Sequence, residues 1–364
     1  VDVAHKIRTI SGQEIYWENI GDPIQKGEKI PLWMKEIIAR AVHEEKNYGY
    51  CPTRGLSDTR EFLAAELNAR GGVRINADDI LFFNGLGDAV SKVYGQLRRE
   101  ARIIGPSPAY PTHSSAEAAH AGSPPITYRL DPARGWMPDL DELRMKVKYN
   151  ESIAGIMIIN PDNPTGAVFP RQVIEEMISI AREFDLFIVA DEIYINMVYR
   201  GEATPISSVI GDVPALSLKG ISKEMPWPGS RCGWIEVYNQ DRDPVFARYV
   251  KSLLDAKMLE VCSTTLPQAV IPEIFSHPEY RPWQKKRNAL FARRSQRLAE
   301  IFDTASGVHI NPPGGAFYFS PVFAQPLSGR MKLGIKNDRV RDYIDSLITP
   351  QTPQIGRASC RERV

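Results

Sequence analysis

Three short stretches carry residue types that could do chemistry together. Lys223 sits in Ser222-Lys223, and Arg231 follows eight residues later in Pro228-Gly229-Ser230-Arg231-Cys232-Gly233-Trp234. A lysine beside another cation has a lowered pKa, and the neutral amine is the form that attacks a carbonyl to make a Schiff base. Read alone, such a lysine is more often an ordinary solvated loop side chain. Asp191 ends the apolar run Leu186-Phe187-Ile188-Val189-Ala190. Parallel α/β sheets bind ligands beyond the carboxyl ends of their strands, so an acid there can meet a ligand. It can also cap the segment that follows. Asn160-Pro161-Asp162-Asn163-Pro164-Thr165-Gly166 has two Asn-Pro steps in seven residues. That makes a stiff loop, for a ligand or for a plain strand-to-helix turn.

The elements that must position these residues are short apolar runs alternating with amphipathic ones. Strands are predicted over Ile80–Phe83, 101–104, 155–159, 186–190, 215–218 and 234–237, and helices over 59–69, 139–148 and Arg171–Glu183. Strands alternating with helices predict a mostly parallel α/β sheet with helices on both faces. The run 155–159 is apolar almost throughout, as a strand buried on both sides should be. After Cys262 the texture changes. A long charged helix is expected over 278–302, with Trp283, Leu290, Phe291 and Leu298 as core contacts. Short strands with a Gly-rich turn are expected over 308–323, and a further helix from 338 to 347.

The chain has 364 residues, enough for about two or three structural units at roughly 100–200 residues each. Hydrophobic residues make up 43% and charged residues 24%, so a sizeable core can form. The formal net charge is +1, which gives no electrostatic reason to expect nucleic acid or anionic membrane as a partner. No apolar run approaches the length of a spanning helix, and no signal peptide is visible after Val1. Val1 stands where a Met would start a chain, so a preceding segment is expected. Cys51, Cys232, Cys262 and Cys360 are scattered without metal-like spacing. They read as free thiols of a cytoplasmic protein, with no metal site.

Asn163-Pro164-Thr165-Gly166, Asp191-Glu192-Ile193-Tyr194 and Ser222-Lys223 with Arg231, in this order and spacing, resemble the class I/II aminotransferases, which are fold-type I pyridoxal-phosphate enzymes. The resemblance runs from about residue 16 to about 347. It implies a large domain with a seven-stranded-type, mostly parallel sheet and a smaller α+β domain. The expected division is an N-terminal arm at 1–45, the large cofactor domain at 46–270, and a linking helix with an incomplete small domain at 271–354. The reaction implied is ping-pong transfer of an amino group between an amino acid and a 2-oxo acid. Release of pyruvate and ammonia from cysteine or cystathionine would instead mark a carbon–sulfur β-lyase on the same fold. A cofactor-sensing DNA-binding regulator is a further alternative, but no basic helix-turn-helix segment supports it.

The resemblance also implies roles for single residues. Lys223 would hold pyridoxal 5'-phosphate as an internal aldimine and shuttle the substrate's α-proton. Asp191 would keep the pyridine nitrogen protonated, which makes the ring a better electron sink. Asn163 and Tyr194 would hydrogen-bond the cofactor's phenolic oxygen, and Arg231 would bind its phosphate. Gly85, Leu86 and Gly87, after a strand and at the opening of a helix, would offer backbone N–H groups to that phosphate. The stretch is not a dinucleotide fingerprint, because Val90 stands where the third glycine belongs. Tyr110, in Pro106-Ser107-Pro108-Ala109-Tyr110-Pro111, would stack on the pyridine ring. Gly21, with Asn163, would lie near the substrate carboxylate. Tyr50 would reach the phosphate of a neighbouring subunit, which implies a homodimer with shared sites.

Two departures from the family pattern stand out. Many relatives have a serine three residues before the lysine; here that residue is Gly220, and Ser222 is left as the nearby hydroxyl. Lys219 is a rival lysine, but Trp227 and not an arginine stands eight residues beyond it. The arginine that grips the substrate carboxylate in relatives lies beyond the helix at 338–347. This sequence ends instead on residues 355–364, which resemble a translated sequencing adapter and not a native strand, so the natural C-terminus is expected to be missing.

Overall fold

Ile153–Ile159 reads IAGIMII, β-branched and apolar at most positions, and it becomes an interior strand with almost every residue buried. The structure, a computed structural model, describes residues 2–12, 14–15 and 21–324. In chain order the strands of the main sheet are β1 (Ile80–Phe83), β2 (Arg102–Ser107), β3 (Thr127–Asp131), β4 (Met137–Pro138), β5 (Ile153–Ile159), β6 (Phe187–Asp191), β7 (Ala215–Gly220) and β8 (Gly233–Tyr238). They stand in the order β1-β8-β7-β6-β5-β2-β3-β4. The pairs β2·β3, β2·β5, β5·β6 and β6·β7 are parallel. β8 is antiparallel to both β1 and β7, and the two-residue β4 is antiparallel to β3. Without β4 the sheet has the seven strands expected.

The helices are α1 (Asp2–Ser11), α2 (Leu32–Val42), α3 (Ser57–Ala69), α4 (Leu86–Gly95), α5 (Pro111–Ala121), α6 (Leu140–Lys148), α7 (Arg171–Glu183), α8 (Ile221–Glu224), α9 (Pro244–Met258), α10 (Thr265–Ala269), α11 (Ile271–Ser276) and α12 (Tyr280–Asp303). β9 (Val308–Ile310) and β10 (Pro321–Phe323) form a separate two-stranded sheet. One compact unit holds Asp22–Thr304 and Ile310–Pro321; the other takes its described residues from 2–21, 305–309 and 322–324. The helix expected at 338–347, the tail at 355–364 and Cys360 lie outside the described residues.

Alternation along the strands builds the core. Leu216 and Leu218 of β7 join Val189 of β6, Met157 and Ile159 of β5, and Val90 and Val93 of α4 in one apolar cluster. Ser217 and Lys219, of opposite parity on β7, meet acids instead: the Ser217 hydroxyl donates to Glu192 Oε2 at 2.6 Å, and Lys219 Nζ lies 2.6 Å from the same oxygen. α12 also departs from a simple apolar stripe. Leu290, expected in the core, is exposed, while the buried positions are Tyr280, Arg287 and Ser295. The reason is that α12 packs on polar main chain. Ser295 Oγ donates to Pro313 O at 2.8 Å, and Arg287 Nη1 donates to Lys223 O at 2.9 Å.

The loop after β5 is locked to the segment Pro313–Tyr318 through Gly166, whose carbonyl accepts from Gly314 N (2.8 Å) and Gly315 N (3.1 Å). Gly166 has φ +72°, and a Cβ there would sit 2.4 Å from Tyr318 O and 2.5 Å from Pro313 Cβ. Gly166→Ala therefore combines left-handed strain with backbone overlap. We expect it to destabilise the protein by about 1–3 kcal/mol. A thermal melt should show a clearly lowered Tm, and an unchanged one would mean the close approach is not real.

Candidate functional site

Parallel strands deliver their carboxyl ends to one edge, and the reversed β8 delivers its amino end to the same edge. The turns leaving β1, β2, β5, β6 and β7 and the turn entering β8 thus come together. They carry Gly85, Tyr110, Asn163, Asp191, Lys223 and Arg231.

Lys223 lies on α8, the four-residue helix that directly follows β7, and is half-buried. Its amine is pushed below the usual lysine range, chiefly by burial; Asp22 and Asp191 pull it up, and Arg231 pushes it down. The neighbouring cation, from which the lowered basicity is expected, is thus a smaller cause than desolvation. The Phe317 ring lies 5.4 Å from Nζ. Lys219 is a different kind of lysine. Burial works against its charge, but Glu192 and Glu236 outweigh that and hold its ammonium above the usual range.

Asp191 is 4% exposed at the end of β6. Its Oδ1 accepts from Ile193 N at 3.1 Å, and its Oδ2 lies 2.8 Å from His113 Nε2. It therefore steadies the following turn and still presents a buried carboxylate at the sheet edge. A carboxylate only accepts, so Nε2 of His113 carries the hydrogen between them. His113 stands in the first turn of α5, and its Nδ1 is buried with no partner among the described residues.

A corner suited to an anion lies beside the lysine. Gly85 has φ +84°, and a Cβ there would fall 2.4 Å from Arg231 Nη2. Only glycine lets the guanidinium lie this close to the backbone. Arg231 is itself left-handed, at φ 49° and ψ 48°, a conformation held by the turn entering β8. Leu86 and Gly87 begin α4, whose first N–H groups have no partners within the helix. A cation and a helix N-terminus meeting at one point suit an anion such as a phosphate. Gly220 has no side chain to contribute a hydroxyl, and a Cβ there would stand 3.1 Å from Cys232 O and from Ile193 Cδ1. Ser222 is half-buried beside Lys223. Buried acid, depressed amine and anion corner together match the ring nitrogen, aldehyde and phosphate of pyridoxal phosphate.

Asn163 is 8% exposed, in the loop after β5. That loop is pinned by Asp162, which is fully buried and whose Oδ2 accepts from Thr165 N at 3.1 Å. Tyr194 is 2% exposed and donates to Tyr318 OH at 3.0 Å. Burial raises its phenol far above the usual range, and Tyr318 adds to this. Tyr110 is 39% exposed and meets His113 edge-on. Tyr50 is 86% exposed. Gly21 is half-buried and belongs to the other compact unit. Sequence reasoning missed His113, Phe317 and Tyr318. Only the Gly314-Gly315-Ala316-Phe317-Tyr318-Phe319 run, a glycine pair followed by aromatics, offered a signal.

With this geometry in place, known proteins can be compared. Residues 19–338 match the family described as aminotransferase class I and II. The chain is 54% identical to an uncharacterized aminotransferase of Methanocaldococcus jannaschii, over 96% of this chain and 81% of that protein. It is 28% identical to the glutamate-pyruvate aminotransferase AlaA of Escherichia coli, over 85% of this chain and 75% of that one. Among solved structures, an alanine aminotransferase from Pyrococcus furiosus superposes with a TM-score of 0.81 at 27% identity, over 89% of this chain and 81% of that one.

Asp162 gives this loop a pH signature. Burial pushes its carboxyl up to about 7, against the downward pull of Thr165. The folded state therefore holds a proton that the unfolded state releases near pH 4, and stability falls as pH rises from about 4 through 7. Asp162→Asn removes that penalty. Chemical denaturation should show the variant gaining on the wild type as pH climbs from 4 to 8, whereas a constant difference would place the proton elsewhere.

Proposed function

Because the chain belongs to the class I and II aminotransferases, enzymes that work with pyridoxal phosphate, we propose that it moves an amino group between an amino acid and a 2-oxo acid in two alternating half-reactions, with Lys223 as the cofactor-bearing and proton-moving residue. The observation that carries this reading is a half-buried amine with a depressed pKa, within electrostatic reach of the buried Asp191 carboxylate and of Arg231. Bound pyridoxal phosphate supplies an electron sink for the carbanion left when an amino acid loses its α-proton.

The chain's own residues do the rest. Lys223, its amine held below the usual lysine range, would bond a carbonyl carbon and then take and return a proton. Asp191, oriented by His113, holds a proton at the pyridine nitrogen. Arg231 and the N–H groups of Leu86 and Gly87 hold the phosphate, with Ser222 as a further hydroxyl donor. Asn163 and Tyr194 would meet the phenolic oxygen, Tyr110 would stack on the ring, and Asn163 would also serve the substrate carboxylate. Phe317 limits water beside Lys223.

Tyr50 projects outward, which fits a role in the site of a second copy and hence a homodimer. Two of the similar proteins are named a glutamate-pyruvate aminotransferase and an alanine aminotransferase, so alanine with 2-oxoglutarate is the first pair to test. Free Cys51, Cys232 and Cys262 support a cytoplasmic home. Among the described residues no helix is long and apolar enough to cross a membrane.

Protein loaded with pyridoxal phosphate should transfer the amino group with parallel double-reciprocal plots. Borohydride should fix the cofactor on Lys223, and Lys223→Ala should abolish both. Failure of every amino acid in a broad panel, or a label on another lysine, would refute the reading.

A further inference from the structure

Arg287, in the middle of α12, is an unusual arginine: its side chain is only 4% exposed. All three nitrogens of the guanidinium donate. Nε and Nη2 both face the carboxylate of Glu28, with Nη2 to Oε2 at 2.9 Å. Nη1 donates to the main-chain oxygens of Lys223 at 2.9 Å and Glu224 at 3.1 Å. The guanidinium also lies 5.6 Å from the Trp283 ring centre and 5.4 Å from that of Phe291. The two carbonyls belong to the last turn of α8, where helical oxygens lack partners inside their own helix. A four-residue helix cannot hold its own shape, so outside contacts set its geometry.

Other residues of α12 grip the same turn. Tyr280 OH and Gln284 Nε2, the latter at 3.2 Å, donate to Glu224 Oε1, which also accepts from Asn196 Nδ2 at 2.8 Å. Positions 280, 284 and 287 recur at helical spacing and share one face of α12. That face thus holds the lysine turn by its main chain and by its one acidic side chain. Asp22, Arg231 and Asp191 act on the basicity of Lys223, whereas Arg287 donates to the lysine's main-chain oxygen. That contact is positional. Glu28 extends the linkage to the segment that begins at Asp22, one of those charges.

We propose that Arg287, paired with Glu28, is a positioning residue for amino transfer: it fixes the main chain beneath Lys223, so that a mobile side chain pivots from an immobile base. This rests on Lys223 being the cofactor-bearing lysine. The reaction asks one amine to release its carbonyl partner, move a proton and return, and a displacement of about 1 Å can cost on the order of 100-fold in rate.

The test compares wild type, Arg287→Lys and the double variant Glu28→Gln/Arg287→Met, in which no buried charge is left alone. In the protein without cofactor, backbone amides of 221–225 should exchange with solvent faster in the double variant than in wild type. With pyridoxal phosphate bound, the double variant should keep its borohydride label on Lys223 and lose about 100-fold in kcat, with KM moving less than about threefold. Arg287→Lys, which restores a cation but not the fork, should recover part of that loss. Unchanged exchange at 221–225, or kcat within threefold of wild type, overturns the proposal. Should the double variant not fold, the kcat of Arg287→Lys decides by the same threshold. A wild-type label on a different lysine would instead refute the functional reading beneath it.

Discussion

One strand running the wrong way makes this site possible. A purely parallel sheet gathers only carboxyl-terminal turns at its binding edge. β8 is antiparallel to both its neighbours, so its entry turn arrives at that edge too and sets Arg231 against the backbone of Gly85. The meeting of guanidinium and helix N-terminus is thus a matter of sheet topology before it is one of side chains. Asp191 and Lys223 follow adjacent strands β6 and β7, whose parallel register keeps their turns side by side. The remaining contacts refine an arrangement that strand direction has already imposed.

Around that edge the protein treats its ionisable groups in opposite ways. Asp191 is buried but partnered by His113 and a backbone N–H. Asp162 is buried and, among the described residues, its carboxyl accepts from Thr165 alone; it rises to about 7. Arg287 is buried with four hydrogen bonds from its three nitrogens. Burial alone therefore predicts little about charge; what matters is how many donors or acceptors meet each group.

How far the sequence could be read follows from the same physics. Arg171–Glu183 was legible to the residue, because a proline precedes it and its apolar positions recur at helical spacing. β3 was not, although Tyr128 and Leu130 are buried on either side of exposed Arg129; a five-residue alternation with a charge in it is too short to separate from loop. In α12 the apolar pattern pointed to Leu290, while the burial is polar and follows hydrogen bonds that no hydropathy pattern encodes. Asp191, Lys223, Arg231 and Gly85 were legible because each is tied to a strand end. His113 was not: it meets Asp191 across 78 residues of chain, and only the folded sheet makes them neighbours.

Lys219 and Lys223, four positions apart on one strand and the turn that leaves it, sort themselves by their acids. The first is clasped by Glu192 and keeps its proton; the second sheds its proton more readily because water is scarce around it. Of the two, Lys223 is the amine more easily brought to its nucleophilic, uncharged form. Selectivity between chemically identical amines is built into the scaffold, with no need for an incoming electrophile to be recognised by shape.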